Sequence, residues 1–209
     1  MQPKLFTDPS AGKYQKSYGV SQRKKLMDEQ NYQKNKRDCQ NLQQQWSNSK
    51  ETRSAEQAKR SEQLNQLKSQ PPQIIVLVAC VSLKLETASP AKDLYCSPWF
   101  IKARKYAEKF GDKWFILSSL HGLLEPEQLI EPYEQTLYTA RKPERAAWSA
   151  RVGNKINSTI PPGSTIIILA GKIYRESLEH LLAQKFKVEI PMAGLGIGKQ
   201  LQYLENAVN

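Results

Sequence analysis

The stretch LSSLHGLLEPEQLIEPYEQTL, residues 117–137, carries side chains that could do acid–base chemistry. His121 stands directly before a glycine, and Glu131 is followed by Pro132 and Tyr133. A histidine can stabilise charge on a leaving group, and a carboxylate can orient water or stabilise a cation. Because a proline favours an extended conformation at the residue before it, we expect Glu131 either to face a pocket or to belong to a rigid connector.

Two further readings of this stretch stay open. Tyr133 could stack on a nucleobase, or it could pack inward as part of the connector. For His121 we favour a functional role over a buried structural one, because Gly122 permits close approach of the backbone to a ligand. The other histidine, His180, lies inside the helical pattern ESLEHLLAQ and is expected on the surface.

Four apolar runs predict β-strands, and helical patterns separate them. The predicted strands are 74–80, 113–119, 164–171 and 187–191, and the predicted helices are 97–111, 142–160 (interrupted near Gly153), 172–186 and 196–208. Alternating strands and helices imply parallel pairing, and fully apolar strands imply helices on both faces. The expected fold class is α/β, a three-layer α/β/α sandwich with a mainly parallel four-stranded sheet.

The helix predicted at 97–111 has clear boundary signals. Ser97 can cap it, Pro98 suits its first turn and Gly111 suits its exit. Its apolar stripe is expected to consist of Phe100, Ala103, Ala107 and Phe110.

The first third of the chain has a different composition. Residues 1–70 hold 14 Lys/Arg against 7 Asp/Glu, and their apolar residues are sparse. On a helix these apolar residues would form a stripe too thin to bury a core, and Gln70-Pro71-Pro72 would end such a helix. The sequence therefore predicts a basic, Gln/Lys-rich arm over 1–72, flexible or helical, and an α/β catalytic or binding domain over 73–209.

The charge of the chain points to a polyanionic partner. The net charge is +11 and the pI is about 9.5, which favours nucleic acid against a basic tail that only aids solubility. Of the two nucleic acids, we expect DNA rather than RNA, although the charge itself does not distinguish them. No apolar run is long enough for a membrane span. The cysteines, Cys39, Cys80 and Cys96, form no zinc or disulfide pattern. We expect a cytoplasmic monomer without metal or cofactor and without a membrane partner.

Ligands of open parallel sheets bind at the carboxyl ends of the strands, so residues after each strand are the candidates. After the first strand, Cys80 could be a nucleophile, but a small buried residue is favoured because no base is near in sequence. Ser82 and Lys84 suit contacts with an anion such as phosphate. Further on, Asp93 could cap the next helix or act as general base or base-edge acceptor, and Tyr95 is assigned to substrate binding.

The later strands add glycines to the candidate site. Gly171 and Tyr174 follow the third strand, where the next helix could present its N-terminus to an anion. After the fourth strand, Gly194, Gly196 and Lys199 form a glycine-rich loop suited to phosphate. This loop does not predict NAD binding, because the dinucleotide fingerprint belongs after the first strand.

Six motifs in residues 74–205 carry a family resemblance. In order they are Cys-x-Ser-x-Lys, Asp-Leu-Tyr, His-Gly-Leu-Leu-x-Pro, Glu-Pro-Tyr, Gly-x-x-Tyr and Gly-Leu-Gly-Ile-Gly-x-Gln-Leu. The region resembles the DUF6884 family of bacterial and phage proteins. More distantly, it resembles the α/β domains of archaeosine-synthase and YaaA-type proteins and the uracil-DNA-glycosylase fold. The distant likeness implies action on, or binding of, nucleic acids and modified bases, and carries over no catalytic residue.

Three functional hypotheses follow. The favoured one is an enzyme that cleaves the N-glycosidic bond of a modified base, with His121, Glu131 or Asp93 in catalysis. The second is a nucleic-acid-binding module without catalysis. The third is a transferase that modifies a tRNA base, as the archaeosine-synthase likeness suggests.

Overall fold

A computed structural model describes residues 11–209, with side chains from Met27 onward except those of Tyr32 and Cys39. The chain divides into two compact units, one ending at Ser61 and the other Glu62–Asn209. Residues 1–10 of the predicted arm lie outside the described residues. The predicted domain boundary at residue 72 stays a prediction.

A single helix, α1, runs over Ala11–Ser69. It ends just before Gln70-Pro71-Pro72, where proline removes backbone donors and disfavours helix. Met27, Leu42 and Trp46 are exposed, and these sparse apolar side chains form no buried stripe. Over its described side chains, α1 is therefore a solvated helix, apart from its last turns in the second unit.

The second unit is a mixed α/β structure. Its strands are β1 (Ile74–Ala79), β2 (Ser89–Pro90), β3 (Lys113–Ser118), β4 (Gly122–Leu124), β5 (Leu129–Ile130), β6 (Thr165–Leu169) and β7 (Lys187–Glu189). A five-stranded sheet has the order β4-β3-β1-β6-β7, and β2 and β5 form a separate antiparallel pair. The β3–β1, β1–β6 and β6–β7 pairs are parallel, so the mainly parallel sheet is confirmed.

The predicted strand number was wrong by one. β4 pairs antiparallel with β3, with Ser118 opposite Gly122, so the chain reverses directly after β3. Gly122 has φ 79°, a left-handed conformation that glycine adopts without steric strain. The sequence prediction missed this hairpin because β4 has only three residues and shows no alternation of its own. The short strand β5 follows downstream, at Leu129–Ile130.

The helices of the second unit are α2 (Ala91–Leu94), α3 (Pro98–Phe110), α4 (Lys142–Thr159), α5 (Lys172–Leu182) and α6 (Ile197–Val208). Ile75 and Leu77 of β1 belong to a buried cluster with side chains of α4 and α5. Val76 and Val78 belong to a second cluster with side chains of α3 and α6. Successive strand residues point to opposite faces of the sheet. Because both faces of β1 are buried in these clusters, β1 is apolar throughout. The break predicted near Gly153 was wrong, since α4 runs through it.

Ser97 and Gly111 mark the ends of α3 as predicted, although the physical reason for Gly111 differs from the expected one. Ser97 accepts a hydrogen bond from the Phe100 backbone N–H at 3.1 Å. Gly111 ends the helix with φ −95°, so its role is close approach: a Cβ there would lie 2.9 Å from the carbonyl oxygens of Ala107 and Lys113. Phe110 is exposed, and Tyr106 is buried instead, which corrects the predicted stripe.

Replacing Ser97 with alanine should lower the free energy of unfolding by about 1 kcal/mol, because a helix donor loses its capping acceptor. Urea denaturation measures this change. Ser177→Ala on the exposed face of α5 is the matched control and should stay within about 0.5 kcal/mol of wild type. An equal effect of the two substitutions would contradict the capping role.

Candidate functional site

A cleft of about 730 Å³ lies at the carboxyl end of β1. We call it the main cleft. Its lining residues are Ala79, Cys80, Val81, Ser82, Lys84, Ser97, Trp99, Glu134, Gln135, Thr136, Tyr138, Gly171, Tyr174, Ile197 and Gln200. The volume lies within the range of small-molecule sites, about 300–1,000 Å³.

The topology of the sheet accounts for this position. β1 and β6 are neighbours, but α3, which follows β1, and α5, which follows β6, belong to different buried clusters. The chain therefore leaves the two strands toward opposite faces of the sheet. Such a switch point opens a crevice at the carboxyl ends of the strands, where ligands of α/β proteins bind.

Three helices begin at the main cleft. Its lining includes Ser97 at the start of α3, Gly171 at the start of α5 and Ile197 at the start of α6. The first turn of a helix leaves backbone N–H groups without intrahelical partners and carries a partial positive charge. With the ammonium of Lys84 also in the lining, this arrangement favours an anionic ligand.

Buried hydroxyl groups form a chain beneath the site. The hydroxyl of Tyr133 lies 2.7 Å from Ser118 Oγ and 2.8 Å from the hydroxyl of Tyr95. Ser118 Oγ also accepts a hydrogen bond from the His121 backbone N–H at 3.0 Å. Burial raises the pKa of both tyrosines, so each stays protonated and available as a donor. These hydrogen bonds hold the segment after β5 against the end of β3.

Cys80 has its own polar contact in the main cleft. Its Sγ lies 3.3 Å from the hydroxyl of Tyr174 and 4.0 Å from Ser119 Oγ. Burial, and then the nearby Cys80 sulfur, raise the pKa of Tyr174. Cys80 is only half-buried, so its sulfur is held by a hydroxyl while part of it faces the cleft.

Raised tyrosine pKa values predict a loss of stability at high pH. In the unfolded chain a tyrosine ionises near pH 10, at about its ordinary pKa. In the folded protein the pKa values of Tyr95, Tyr133 and Tyr174 are higher. Their contribution to the free energy of unfolding is therefore complete below pH about 10 and is lost as the pH rises above it. We expect the free energy of unfolding to fall by on the order of 1 kcal/mol per pH unit for each tyrosine.

Urea denaturation between pH 8 and 11 measures this loss. Tyr133→Phe removes one ionising group and should make the decline shallower, although it lowers stability at pH 8. Tyr138→Phe is the control, because Tyr138 is 65% exposed and should leave the pH profile unchanged. A wild-type stability that is constant from pH 9 to 11 would contradict the prediction.

The family model for DUF6884, described as "Family of unknown function", matches residues 75–206. The chain belongs to the DUF6884 family. It is also similar to "Uncharacterized protein YfjM" of Bacillus subtilis (strain 168), with 27% identity over 141 residues, covering 64% of this chain and 94% of the relative. No solved structure matches the chain. The distant likeness to archaeosine-synthase, YaaA-type and uracil-DNA-glycosylase domains therefore stays a prediction.

The residues predicted for catalysis in this DUF6884 domain do not meet in the main cleft. His121 is exposed, in the turn between β3 and β4, with its ring 5.4 Å from that of Tyr133. Glu131 is also exposed. Neither is among the residues that line the cleft. Early reversal of the chain at Gly122 carries His121 away from the crevice.

Asp93 lies elsewhere. Its carboxylate accepts a hydrogen bond from Arg104 at 2.6 Å, in a separate pocket of about 350 Å³. Its side chain forms this ion pair and makes no cap to α3, whose cap is Ser97. The expectation that Asp93 is a general base is not supported by this position.

The predicted binding residues are divided between several places. Cys80, Ser82, Lys84, Gly171 and Tyr174 line the main cleft. Tyr133 lines a neighbouring hollow of about 500 Å³, which we call the side depression, with Ser82, Leu83, Lys84, Leu85, Glu86, Pro132 and Glu134. Its hydroxyl points inward, which favours the inward-packing alternative over stacking on a base. Tyr95 is buried beneath them.

The glycine-rich loop lies beside the cleft and does not line it. Gly194 has φ 77°, and nothing lies within 4 Å of a Cβ built there or at Gly196. Lys199 is exposed. From this region only Ile197 and Gln200 line the main cleft, so a phosphate role for Gly194, Gly196 and Lys199 stays a prediction.

Among the residues of the main cleft that sequence reasoning missed are Trp99, Glu134, Tyr138 and Gln200. The indole N–H of Trp99 donates to Gln200 Oε1 at 2.9 Å, and Gln200 Nε2 donates to the Leu195 carbonyl at 2.7 Å. This pair fixes the indole at the cleft wall. Both residues lie in the first turn of a helix, Trp99 in α3 and Gln200 in α6, and this position was the available signal.

Glu134 and Tyr138 belong to a segment that hydrogen bonds of Gln135 hold in place. Ser119 Oγ donates to the Gln135 carbonyl at 2.5 Å, and Gln135 Nε2 donates to the Ser119 carbonyl at 3.1 Å. These two bonds tie the segment to the end of β3 and bring Glu134 to the cleft.

None of the described helices is long and apolar enough to cross a membrane. Among the side chains that the structure describes, those from Met27 onward except Tyr32 and Cys39, no three His, Cys, Asp or Glu are grouped so that they could hold a metal ion.

Proposed function

We propose that the DUF6884 domain is an enzyme that acts on nucleic acid and cleaves the N-glycosidic bond of a modified base. The observation that supports this proposal is the main cleft itself. At a switch point of the sheet it combines one cation, Lys84, one carboxylate, Glu134, and three aromatic side chains, Trp99, Tyr138 and Tyr174. A nucleotide offers the matching groups: a phosphate, a sugar that becomes cationic in the transition state, and a flat base.

The proposed reaction is a hydrolysis. Water attacks C1′ of the sugar, the bond from C1′ to the base nitrogen breaks, and its electron pair leaves with the base. Glu134 stabilises the cationic sugar and takes a proton from the attacking water. The departing base takes up a proton from solvent. The products are a free base and an abasic sugar that carries a hydroxyl group at C1′.

The remaining cleft residues bind and orient the nucleotide. Lys84 retains donor capacity for a phosphate, because among the described residues its Nζ donates a hydrogen bond only to the Ser82 carbonyl, at 3.1 Å. Trp99 and the exposed ring of Tyr138 offer faces for a base turned out of its stack, a requirement for enzymes that act on bases in a duplex. His121 and Glu131 would act only on parts of the nucleic acid outside the cleft.

Abasic sites give the proposal a direct test. The full chain is incubated with duplex and single-stranded DNA carrying unmodified and modified bases, and the products are treated with alkali, which breaks the strand at abasic sites. We expect breaks at one modified base. An absence of alkali-labile sites on every substrate, including heavily modified phage DNA, would reject the enzyme.

The second candidate is a nucleic-acid-binding module without catalysis. The observation that favours it is that, in the part of the chain that the structure describes, Glu134 is the only carboxylate that lines the main cleft, while His121 and Glu131 lie outside. This candidate requires strong binding with no chemical change of the nucleic acid. The tRNA-modifying transferase stays a prediction, tested by mass spectrometry of tRNA nucleosides from cells with and without the gene.

The arm has a proposed role in affinity. Helix α1 contains 13 Lys/Arg and 6 Asp/Glu, and its described side chains up to residue 66 are exposed. A long basic helix can lie along a phosphate backbone and bind it without sequence preference. We also propose that the domain is the predicted three-layer sandwich, which the separate clusters on the two faces of β1 support.

A further inference from the structure

We propose that the site takes a strand segment of at least two nucleotides, with one in the main cleft and its neighbour in the side depression. This inference rests on the proposed function and deepens it, because it names a polynucleotide strand, and not a free nucleoside or nucleotide, as the substrate class.

The two hollows adjoin each other. Ser82, Lys84 and Glu134 line both of them. The main cleft measures about 730 Å³ and the side depression about 500 Å³, and each is within the size range of ligand sites. A continuous ligand can therefore pass from one to the other over these three residues.

Lys84 stands where the two hollows meet, and its position is fixed. The backbone at Leu85 donates to the Leu94 carbonyl at 2.9 Å, and the backbone at Cys96 donates to the Leu83 carbonyl at 3.2 Å. The ammonium lies 4.7 Å from the centroid of the Tyr133 ring. Lys84 forms no ion pair with the described side chains. A phosphodiester that joins two nucleotides would place its charge at this point.

The side depression offers an apolar wall on either side of this cation. Leu83 is 55% exposed and Leu85 is 41% exposed, although both belong to the segment that these backbone hydrogen bonds hold. Pro132 completes the wall. Exposed leucines beside a fixed cation match a sugar and base that follow a phosphate. A free mononucleotide in the main cleft would leave this wall uncovered.

The test compares three ligands by isothermal titration of the full chain: a nucleoside 3′,5′-bisphosphate, a dinucleotide with a 5′-phosphate, and a single-stranded pentanucleotide. The bisphosphate carries the phosphates of the strand without the second base. We expect the dinucleotide to bind about tenfold more tightly than the bisphosphate, because its second nucleotide covers exposed leucine surface, and removing on the order of 60 Å² of apolar surface from water contributes about this factor.

Substitutions separate the two hollows. Leu83→Ala with Leu85→Ala should remove most of the preference for the dinucleotide and leave binding of the bisphosphate unchanged. Leu129→Ala is the matched control, since Leu129 is 67% exposed and lies outside both hollows. Trp99→Ala should weaken the binding of all three ligands.

The outcomes distinguish this inference from the proposed function. Equal affinity for bisphosphate and dinucleotide, with no effect of the leucine substitutions, would overturn the inference and leave the nucleotide site of the main cleft standing. An absence of binding by all three ligands would overturn both.

Discussion

Replacing Glu134 with glutamine should lower the rate of base release by about 10²–10⁴-fold, the range for loss of a general acid or base. The substitution keeps the size and the hydrogen-bonding shape of the side chain but removes its negative charge. Glu134 lines the main cleft beside Lys84, so the charge lies where a cationic sugar would form. Affinity for an uncleaved oligonucleotide should change little, because the carboxylate acts mainly in the transition state.

Single-turnover measurement of base release with excess enzyme tests this prediction. Glu131→Gln is the matched control, because it makes the same chemical change three positions away on an exposed side chain outside the cleft. We expect the Glu131 variant to keep wild-type rates. A large loss in Glu131→Gln with none in Glu134→Gln would restore the expectation from the sequence and reject the assignment made from the cleft.

Neutralising the basic side chains of α1 should weaken binding of nucleic acid on the order of 10²–10³-fold at 50 mM salt. The substitutions change seven exposed residues to glutamine: Lys34, Lys36, Arg37, Lys50, Arg53, Lys59 and Arg60. Glutamine has a helix propensity close to those of lysine and arginine, so α1 should persist. The effect arises because each lost phosphate contact removes the release of a counterion.

This prediction is tested by measuring the affinity for nucleic acid at salt concentrations between 50 and 400 mM. The slope of log affinity against log salt should become shallower by about 0.7–0.9 for each substituted residue that contacts phosphate, and the two proteins should converge at high salt. Lys155→Gln with Lys185→Gln, on exposed positions of the second unit, is the control. An unchanged slope in the seven-residue variant would show that α1 does not contact nucleic acid.

The sequence predicted the main strands because each one is buried and continuously apolar. Ser97, Pro98 and Gly111 likewise marked the ends of α3, since capping depends on local residue types. Such signals are local, and they predicted the carboxyl ends of the strands as the place of the site. Cys80, Ser82, Lys84, Gly171 and Tyr174 were predicted to bind ligand after these ends, and the structure places them in one cleft, while their role in binding stays a prediction.

The composition of the site could not be predicted in full, because it depends on contacts between distant segments. Glu131 was selected for the local effect of Pro132, and Glu134 was not considered, whereas the two hydrogen bonds between Ser119 and Gln135 bring Glu134 to the cleft. His121 was expected at the mouth of a strand, but the short hairpin at Gly122 moves it outside. For Tyr133 the sequence left stacking on a base and inward packing open, and the hydrogen bonds of its hydroxyl to Ser118 and Tyr95 favour inward packing.

A crystal structure of the full chain with a single-stranded oligonucleotide that carries one cationic azasugar abasic analogue would test the central claim most directly. Such an analogue imitates the charged sugar of the transition state and should bind more tightly than substrate. We expect the cationic ring in the main cleft, with its nitrogen within hydrogen-bonding distance of Glu134 and a flanking phosphate on Lys84. An oligonucleotide bound with the main cleft empty, or with its sugar on His121 and Glu131, would contradict the account.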